Sequence, residues 1–423
     1  MYSFVDLFAG CGGLSEGFLT TSKYKGVAHV EWEIPMVNTL RNRLVTKWNH
    51  SIEDAQKRVV HFDIQKTEEL INGNWSEESI KKFSATNHFD IVEKGLNGLL
   101  GNKTVDIIIG GPPCQAYSIH GRATDKNSMK DDYRNYLFES FVKLVDQYKP
   151  KIFVFENVPG ILTAKPGGVN ITERIFESFN DIGYKILSPS ELSNAIFDVV
   201  NYGVAQSRKR VIIIGVEQYS NFDLGEIYSL IRNKQDVNNK KTVFDSIADL
   251  PKLYPLKEIV KINGKNISHT CDKDSEQLQH IPRFHNTRDL NIFREWINNG
   301  MNHYSQKDKI DFYRSKTGKS TLYAKYKNLE WSKPSHTIVA HLEKDGLMFI
   351  HPDPEQSRSI TIREAARLMS FPDDYKFIGS NAKCYKMIGN AVPVKFSKII
   401  AESISEYLLN KKNKLQNECF NSL

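Results

Sequence analysis

The 423-residue sequence has few cysteines and no long apolar segment. Its five cysteines are scattered without the paired spacing of zinc ligands, which indicates a reducing compartment and predicts no metal site. No run of about 18 apolar residues occurs, and no basic segment precedes an apolar core at the amino terminus. We therefore expect a cytoplasmic protein that neither crosses a membrane nor carries a signal peptide.

Phosphate-binding motifs are also absent from the sequence. It contains no Walker A motif, and Gly10, Gly12 and Gly13 do not have the G-x-G-x-x-G spacing of dinucleotide-binding proteins. A nicotinamide or flavin cofactor is therefore disfavoured. The glycine turn nevertheless lies between a predicted strand (3–8) and a predicted helix (15–19), an arrangement that lets backbone approach a nucleotide-like ligand closely.

The charge of the chain is positive and unevenly distributed. The formal net charge is +7, and residues 226–350 contain 21 Lys and Arg against 15 Asp and Glu. With 40% hydrophobic residues, the chain is long enough for a sizeable core and two domains. An uneven positive balance of this kind favours a polyanionic partner.

Acidic and aromatic residues follow two further predicted strands near the amino terminus. Glu31 and Trp32 end the strand 26–30, and Asp63 ends the strand 58–62. Each acid taken singly is more typical of a solvated loop. Together with the glycine turn they predict a pocket for an adenosine-bearing ligand, in which Glu31 accepts from ribose, Trp32 covers adenine and Asp63 accepts from its amine.

A second group of reactive side chains follows the next predicted strands. Cys114 comes after the strand 105–109 and two prolines, so that a stiff loop presents its thiol, and Glu156 ends the strand 150–155. A thiolate nucleophile beside a carboxylic acid suits attack on a ring whose neighbouring nitrogen must be protonated. A buried structural cysteine is the alternative. Arg208 and Arg210 precede the strand 211–215. Their guanidinium groups are either solvated or hold a phosphate or a carbonyl.

The pattern of strands and helices predicts the domain organisation. Residues 1–225 alternate buried strands with helices, including 136–148 and 171–182, which predicts an α/β fold with a doubly wound, mostly parallel sheet. We expect 226–380 to form a smaller, irregular domain with short strands. Residues 381–423 are expected to return to the first domain with a closing helix (396–409), followed by a frayed tail (410–423).

Candidate nucleic-acid contacts lie mainly in the irregular segment. Residues 312–328 interleave basic and aromatic side chains without an acid, which suits either DNA contact from a loop or a solvated hairpin. A second candidate is the segment 283–288, and the loop 116–134 is either a lid over the reacting base or a disordered connection. The candidate DNA-binding residues are Arg122, Arg283, Arg288, Arg314, Lys316, Lys319, Lys325 and Lys327.

Six blocks occur in a defined order along nearly the whole chain, from about residue 3 to about residue 405. They are DLFAGCGG (6–13), GPPCQ (111–115), ENV (156–158), QSRKR (206–210), REAARL with SFP (363–372) and GNAVP (389–393). As an ordered set they resemble the DNA cytosine-5 methyltransferases of bacterial restriction-modification systems. This resemblance implies the fold of S-adenosylmethionine-dependent methyltransferases with a smaller DNA-recognition domain, and an activity of class EC 2.1.1.37.

The resemblance also implies roles for individual residues. Cys114 matches the nucleophile that adds to carbon 6 of a flipped cytosine, and Glu156 matches the acid at ring nitrogen 3. Arg208 and Arg210 match the pair near the flipped base and its phosphate. The residues matching contacts to S-adenosylmethionine are Phe8, Gly10, Gly12, Glu31, Trp32, Asp63, Ile64, Pro113, Leu137 and Asn390.

The expected partners follow from the same resemblance. We expect a monomer that methylates carbon 5 of cytosine in a specific duplex DNA sequence, near the bacterial nucleoid, with a cognate restriction endonuclease as its functional partner. Two alternatives are an RNA methyltransferase, since a related branch uses the same catalytic blocks on transfer RNA, and a DNA-binding protein without activity. The sequence does not predict which DNA sequence is recognised.

Overall fold

The computed structural model describes residues 1–113, 137–262, 264–270 and 278–421. The chain forms two compact units. The large unit comprises Met1–Tyr202, Lys209–Val237 and Val392–Leu423, and the small unit comprises Gly203–Arg208 and Asn238–Ala391. Within the described part of the chain, no helix combines the length and apolarity needed to cross a membrane.

The large unit is built on an eight-stranded sheet with the order β3-β2-β1-β4-β5-β8-β6, in which β7 also pairs with β8. The strands β1 to β5 pair in parallel, whereas β8 is antiparallel to its three neighbours. The predicted α/β class and mostly parallel sheet are confirmed. The strands are β1 (Tyr2–Leu7), β2 (Tyr24–Glu31), β3 (Val59–His61), β4 (Ile107–Gly110), β5 (Ile152–Asn157), β6 (Tyr184–Lys185), β7 (Ile196–Asp198) and β8 (Lys209–Glu217).

Helices cover both faces of this sheet, and its central strand β4 has no polar side chain. Three residues of β4, Ile107 to Ile109, are fully buried, as expected for a parallel strand with both faces covered. Phe179 stacks on Phe153 of β5 with ring centroids 4.1 Å apart. The helices of the large unit are α1 (Gly13–Thr20), α2 (Ile34–Thr46), α3 (Ile52–Arg58), α4 (Thr67–Asn72), α5 (Glu77–Phe83), α6 (Phe89–Leu100), α7 (Leu137–Tyr148), α8 (Ile171–Asp181), α9 (Leu224–Arg232) and a closing helix (Val394–Asn421).

The closing helix returns to the beginning of the large unit and packs against α1. A Cβ at Gly17 would lie 2.4 Å from the Cβ of Ser397, so the close approach of the two helices requires glycine. The expectation of a frayed tail after residue 409 was wrong, because the helix continues to Asn421. The residues after 409 include Lys, Leu, Gln and Glu but no Gly or Pro, so nothing in the sequence terminates the helix earlier.

The small unit contains a two-stranded antiparallel sheet and five α-helices within the described residues. Its boundaries differ from the predicted 226–380. Helix α9 belongs to the large unit, because the Tyr228 hydroxyl donates to the Ile212 carbonyl of β8 (2.8 Å) and accepts from the Ile214 N–H (3.0 Å). Helix α14, predicted to lie in the returning segment, belongs to the small unit. The elements are β9 (Pro255–Ile262), β10 (Lys265–His269), α10 (Val243–Ile247), α11 (Thr287–Asn298), α12 (Gln306–Thr317), α13 (Ile362–Leu368) and α14 (Asn381–Asn390).

Aromatic residues form the core beneath α11 and α12. Trp296 lies edge-to-face with Phe312 and with Tyr326, at centroid distances of 5.4 and 5.6 Å. The prediction that 312–328 forms a basic loop or hairpin was therefore wrong in part. Its first six residues end helix α12, and Tyr326 is buried in the core. The aromatic residues of this segment that face the core serve packing.

A buried ion pair holds together the carboxyl-terminal part of the small unit. Glu364 accepts hydrogen bonds from Nη1 (2.7 Å) and Nη2 (2.6 Å) of Arg358, and from the backbone N–H of Thr361 (2.7 Å). Burial disfavours the ionised carboxylate, but the charge and hydrogen bonds of Arg358, together with the nearby His351 and His280, outweigh it and hold the pKa of Glu364 well below its usual range. Both side chains are almost completely buried, so neither charge has water to replace a lost partner.

We expect Glu364→Gln to lower the free energy of unfolding by about 3–5 kcal/mol at neutral pH, because it leaves the Arg358 charge buried without a counter-ion. The pKa of Glu364 is depressed in the folded state, so its contribution is present above the ordinary carboxyl pKa of 4.5 and is lost as the pH falls below it. Urea titrations between pH 2 and 7 should therefore show a constant difference from the parent above about pH 5 and a difference that shrinks towards acid below it.

The matched control for this experiment is Glu355→Gln, which removes an exposed carboxylate a few residues away. We expect it to change the free energy of unfolding by no more than about 0.5 kcal/mol. Equal effects of the two substitutions would contradict a stabilising role for the buried pair.

Candidate active site

The first part of the site is the glycine turn between β1 and α1. Phe8, Gly10 and Gly12 have positive φ angles of 59°, 57° and 88°, and Gly12 directly precedes the helix. A positive φ is uncommon for a residue with a side chain, and Phe8 is therefore held in a strained conformation. The turn is tied to β2 because the Ala9 N–H donates to the Val30 carbonyl (3.0 Å).

Glu31 links this turn to the end of β2. Its carboxylate accepts backbone hydrogen bonds from Gly10 (2.7 Å), Trp32 (2.8 Å) and Glu33 (2.8 Å). Burial raises the pKa of Glu31, while these N–H groups act in the opposite direction. Since a carboxylate can accept about four hydrogen bonds, the three backbone donors leave capacity for a ligand hydroxyl.

Trp32 and Asp63 extend the same edge of the sheet. The Trp32 ring is 49% exposed, and the ammonium group of Lys82 lies 5.2 Å from its centre. Asp63 follows β3, and its carboxylate accepts from the Gln65 N–H (3.1 Å). Ile64 beside it is buried. The structure thus brings the predicted residues of β1, β2 and β3 to three adjacent strand ends, in the order that the sequence indicated.

A second set of groups lies at the ends of β5 and β8. Nε of Arg210 lies 2.7 Å from Oε1 of Glu156, and both side chains are nearly buried. A Cβ on Gly111 would lie 2.7 Å from the other oxygen of Glu156, so this glycine makes room for the carboxylate. The side-chain amide of Asn157 contacts the Pro112 carbonyl at 3.4 Å, which ties β5 to the segment leading to residue 114.

Some predicted site residues fall outside this arrangement or outside the described residues. Cys114 and Arg122 lie outside the described residues, whereas Pro113 is half-buried and Leu137 is buried at the start of α7. Asn390 belongs to the small unit, where it ends α14.

Arg208 also belongs to the small unit and is almost completely buried there. Its guanidinium donates to the backbone carbonyls of Ile338 (2.6 Å), Gly389 (3.1 Å) and Ala391 (3.0 Å). These bonds tie the segment 203–208 to the rest of the small unit. A direct contact between Arg208 and a nucleotide stays a prediction.

The candidate DNA-binding residues of the small unit differ in which groups their positive charges contact. Arg283 donates to the Leu342 carbonyl and lies 4.1 Å from the Tyr385 ring centre. Arg288 and Lys316 pair with carboxylates, those of Asp289 (3.0 Å) and Glu295 (2.6 Å) respectively. Among the residues that the structure describes, no carboxylate pairs with Arg314, Lys319, Lys325 or Lys327.

Sequence reasoning missed a buried polar cluster beneath the glycine turn. Ser15 Oγ donates to Asp6 Oδ2 (2.5 Å) and lies 2.9 Å from His29 Nδ1. Burial raises the pKa of Asp6 to about 7 and lowers the pKa of His29 to about 3. Asp6 is a charged residue in a largely apolar strand. This feature of the sequence could have indicated the buried polar cluster.

Comparison with known proteins places the chain in a family. The sequence profile of the C-5 cytosine-specific DNA methylases matches residues 2–75 and 72–406. The chain is 36% identical over 448 aligned residues to the type II methyltransferase M.Bpa9945I of Bacillus paralicheniformis, covering 96% of this chain and 98% of the relative. It is 30% identical over 426 residues to the type II methyltransferase M.DdeI of Desulfomicrobium norvegicum, covering 96% and 89%.

A solved structure supports the fold. The crystal structure of the S. pombe Dnmt2 methyltransferase superposes with a TM-score of 0.54 at 14% identity, covering 97% of this chain and 99% of that one. At this identity the likeness concerns the fold alone. The profile match and the curated relatives show more, and they agree with the order of the six blocks. This chain belongs to the C-5 cytosine-specific DNA methylases and is a DNA cytosine-5 methyltransferase of the type II restriction-modification kind.

Proposed function

We propose that this enzyme transfers the methyl group of S-adenosylmethionine to carbon 5 of a flipped cytosine within one duplex DNA sequence, and so protects host DNA from a cognate restriction endonuclease. The observation that carries the proposal is the position of Glu156 and Arg210. They form an ion pair at the same sheet edge as the glycine turn, beside the segment that leads to Cys114. The family assignment supports the transfer of a methyl group to cytosine. The position of Glu156 and Arg210 supports the covalent attack on the base.

The residues at the ends of β1 to β3 fit S-adenosylmethionine. Gly10 has a positive φ, and a Cβ there would meet no atom within 4 Å, so the turn leaves open space above it. Glu31 retains capacity to accept from ribose, Asp63 can accept from the adenine amine, and Trp32 offers an exposed aromatic face. When bound, S-adenosylmethionine supplies an activated methyl group. Its adenosine needs no phosphate-binding loop, in agreement with the absence of one.

The protein groups can activate the poor nucleophile, carbon 5 of cytosine. The Cys114 thiolate forms a bond to carbon 6, and Glu156 protonates or hydrogen-bonds nitrogen 3, which makes carbon 5 nucleophilic. After methylation, a water molecule takes the carbon 5 proton, the bond between carbon 6 and sulfur breaks to release the thiolate, and nitrogen 3 returns its proton to Glu156, which restores the aromatic ring. Arg210 orients Glu156 through the 2.7 Å contact. Because the target is stacked inside a duplex, the base must be extruded first.

The substrate can be tested directly with tritiated S-adenosylmethionine, offered with duplex DNA or with transfer RNA. We expect label in duplex DNA only. Label in transfer RNA would favour an RNA methyltransferase, and no label in either would favour a binding protein without activity. Bisulfite sequencing of DNA from a methylation-free host that expresses the chain should then identify the modified cytosine and its sequence context.

We expect Cys114→Ser to abolish turnover while leaving the affinity for S-adenosylmethionine nearly unchanged, because the nucleophile acts on the base. Duplex DNA containing 5-fluorocytosine should trap the parent enzyme covalently and should not trap this variant. Gel electrophoresis under denaturing conditions measures the trapped complex. The control is Cys384→Ser, since burial raises the pKa of Cys384 to about 11 and its thiol is unsuited to attack. Near-normal turnover of Cys114→Ser would refute the mechanism.

We expect Asp63→Ala and Glu31→Ala each to weaken S-adenosylmethionine binding by about 1–3 kcal/mol, because each leaves a ligand donor without its acceptor. Glu31→Ala should also loosen the glycine turn, since three backbone N–H groups lose their acceptor. Titration calorimetry measures both affinities. Glu68→Ala, which removes an exposed carboxylate on α4, should leave the affinity unchanged. Unchanged affinity in both test variants would rule out this pocket.

We expect Gly111→Ala to reduce turnover by about a hundredfold without weakening S-adenosylmethionine binding. The new Cβ would lie 2.7 Å from Oε2 of Glu156, so the carboxylate must move away from its position beside Arg210. A displacement of about 1 Å is enough for such a loss. Single-turnover methylation rates measure the effect. Gly225→Ala on α9 is the control, because its Cβ meets only the Asp223 side chain at 3.2 Å. Full activity of Gly111→Ala would show that Glu156 acts from another position.

A further inference from the structure

The hairpin of β9 and β10 is an isolated sheet of two strands that extends from the small unit. Ile262 pairs with Lys265, Lys261 with Asn266, and Val260 with Ile267. The connection between Ile262 and Lys265 has the sequence Asn-Gly, which is typical of a tight two-residue hairpin turn, and Gly264 has the positive φ (77°) that such turns require. We refer to β9 and β10 together as the ribbon.

The base of the ribbon is fixed to the small unit, whereas its outer part is surrounded by solvent. At the base, the Thr270 N–H donates to the Tyr254 carbonyl (2.8 Å), and Nε2 of His269 donates to the Gln356 carbonyl (2.8 Å). Beyond it, every residue from 257 to 262 is exposed, on both faces of the sheet. An element with a fixed base and a solvated outer part is suited to contact a binding partner.

The ribbon exposes β-branched side chains to water, which is unfavourable. A ribbon that served only to pack against the protein would not need to expose them. Ile259, Val260 and Ile262 are 43%, 41% and 46% exposed. A two-stranded sheet gains little stability by itself, and exposed apolar strands invite unwanted association. Val260 and Ile262 share one face of the ribbon, and an exposed apolar patch with charged neighbours is instead typical of an interaction site.

The pairing register assigns the side chains of the ribbon to two faces. Directly opposite residues of an antiparallel pair share a face, and alternate residues of one strand do so too. Lys257, Ile259, Lys261 and Asn266 therefore lie on one face, where the two cations are spaced about 13 Å apart along β9 on either side of Ile259. Val260, Ile262 and Ile267 lie on the other face, with Lys265 at its outer end.

The charge of the ribbon is positive, and its lysines make no ion pair with the part of the chain that the structure describes. It carries three lysines against one acid, Glu258, and none of the three lysines pairs with a carboxylate among the described residues. Arg288 and Lys316, in contrast, are held by acids of the same unit. The ribbon therefore offers free positive charge and an amide on a single face, which suits a polyanion that also displays hydrogen-bonding groups.

We propose that the ribbon enters the major groove of DNA, with Lys257 and Lys261 on phosphates and Asn266 at a base edge. This inference rests on the proposed function. The major groove, about 12 Å wide, admits a two-stranded ribbon, and asparagine is suited to the paired donor and acceptor of adenine. Lysine contacts to phosphate give affinity without sequence preference, whereas the asparagine contact discriminates between bases. The proposal assigns sequence reading to a segment outside residues 312–328.

The test separates the two kinds of contact. The double variant Lys257→Gln, Lys261→Gln should bind duplex DNA with a slope of log K against log salt that is shallower by about 2, equally for all sequences. Asn266→Ala should keep the parent's slope but lower discrimination at one base pair of the methylated site by about tenfold. The control is Lys25→Gln, an exposed strand lysine at the amino end of β2, which should change neither.

If the parent enzyme methylates duplex DNA but the ribbon variants keep its salt slope and its choice of site, this inference is overturned. That result would leave the proposed function intact. Parent enzyme that methylates no DNA would instead refute the proposed function. Variants with unchanged DNA binding but an altered sedimentation coefficient would show that the ribbon contacts a protein, which also overturns the proposal. Far-ultraviolet circular dichroism and the melting temperature of each variant should match the parent, since all substituted side chains are exposed.

Discussion

The carboxylate of Glu31 is the interaction on which the ligand-binding edge of the large unit depends. It gathers backbone N–H groups from two segments, the glycine turn and the end of β2. Each buried donor left without an acceptor would cost about 1–3 kcal/mol. These bonds offset the strain of Phe8, whose positive φ costs about 1–3 kcal/mol in such a turn. The turn is therefore shaped before any ligand arrives, and binding need not order it.

The antiparallel direction of β8 is as important for the part of the candidate site that contains Glu156 and Arg210 as Glu31 is for the glycine turn. A parallel strand beside β5 would bring its own carboxyl end to this edge. Because β8 is antiparallel, it brings its first residues there instead. The register pairs Glu156 with Ile212, so Arg210 lies on the same face of the sheet and diagonally opposite Glu156. Its long side chain spans the diagonal and makes the 2.7 Å contact.

Much of the large unit could be predicted from the sequence because the candidate site residues follow strongly apolar strands. Glu31, Asp63 and Glu156 were chosen as candidates in this way, and parallel pairing then brings the ends of such strands to one edge. The antiparallel direction of β8 has no comparable local signal, since its apolar run reads the same in either direction. The extension of the closing helix to Asn421 was missed for a different reason. Its last residues are polar, and polarity was taken as a sign of fraying.

The small unit was harder to predict because its basic residues have different roles that depend on tertiary contacts. Lys316 lies next to Glu295 only because α12 packs on α11, and Arg283 stacks on Tyr385 only because α14 joins this unit. A count of lysines and arginines locates a polyanion-binding segment but cannot separate neutralised cations from free ones. The Asn-Gly dipeptide at 263–264, between alternating residues, was the one local signal for the ribbon. The candidate reactive groups are thus specified by the strands that precede them, whereas the proposed reading surface depends on which cations the fold leaves unpaired.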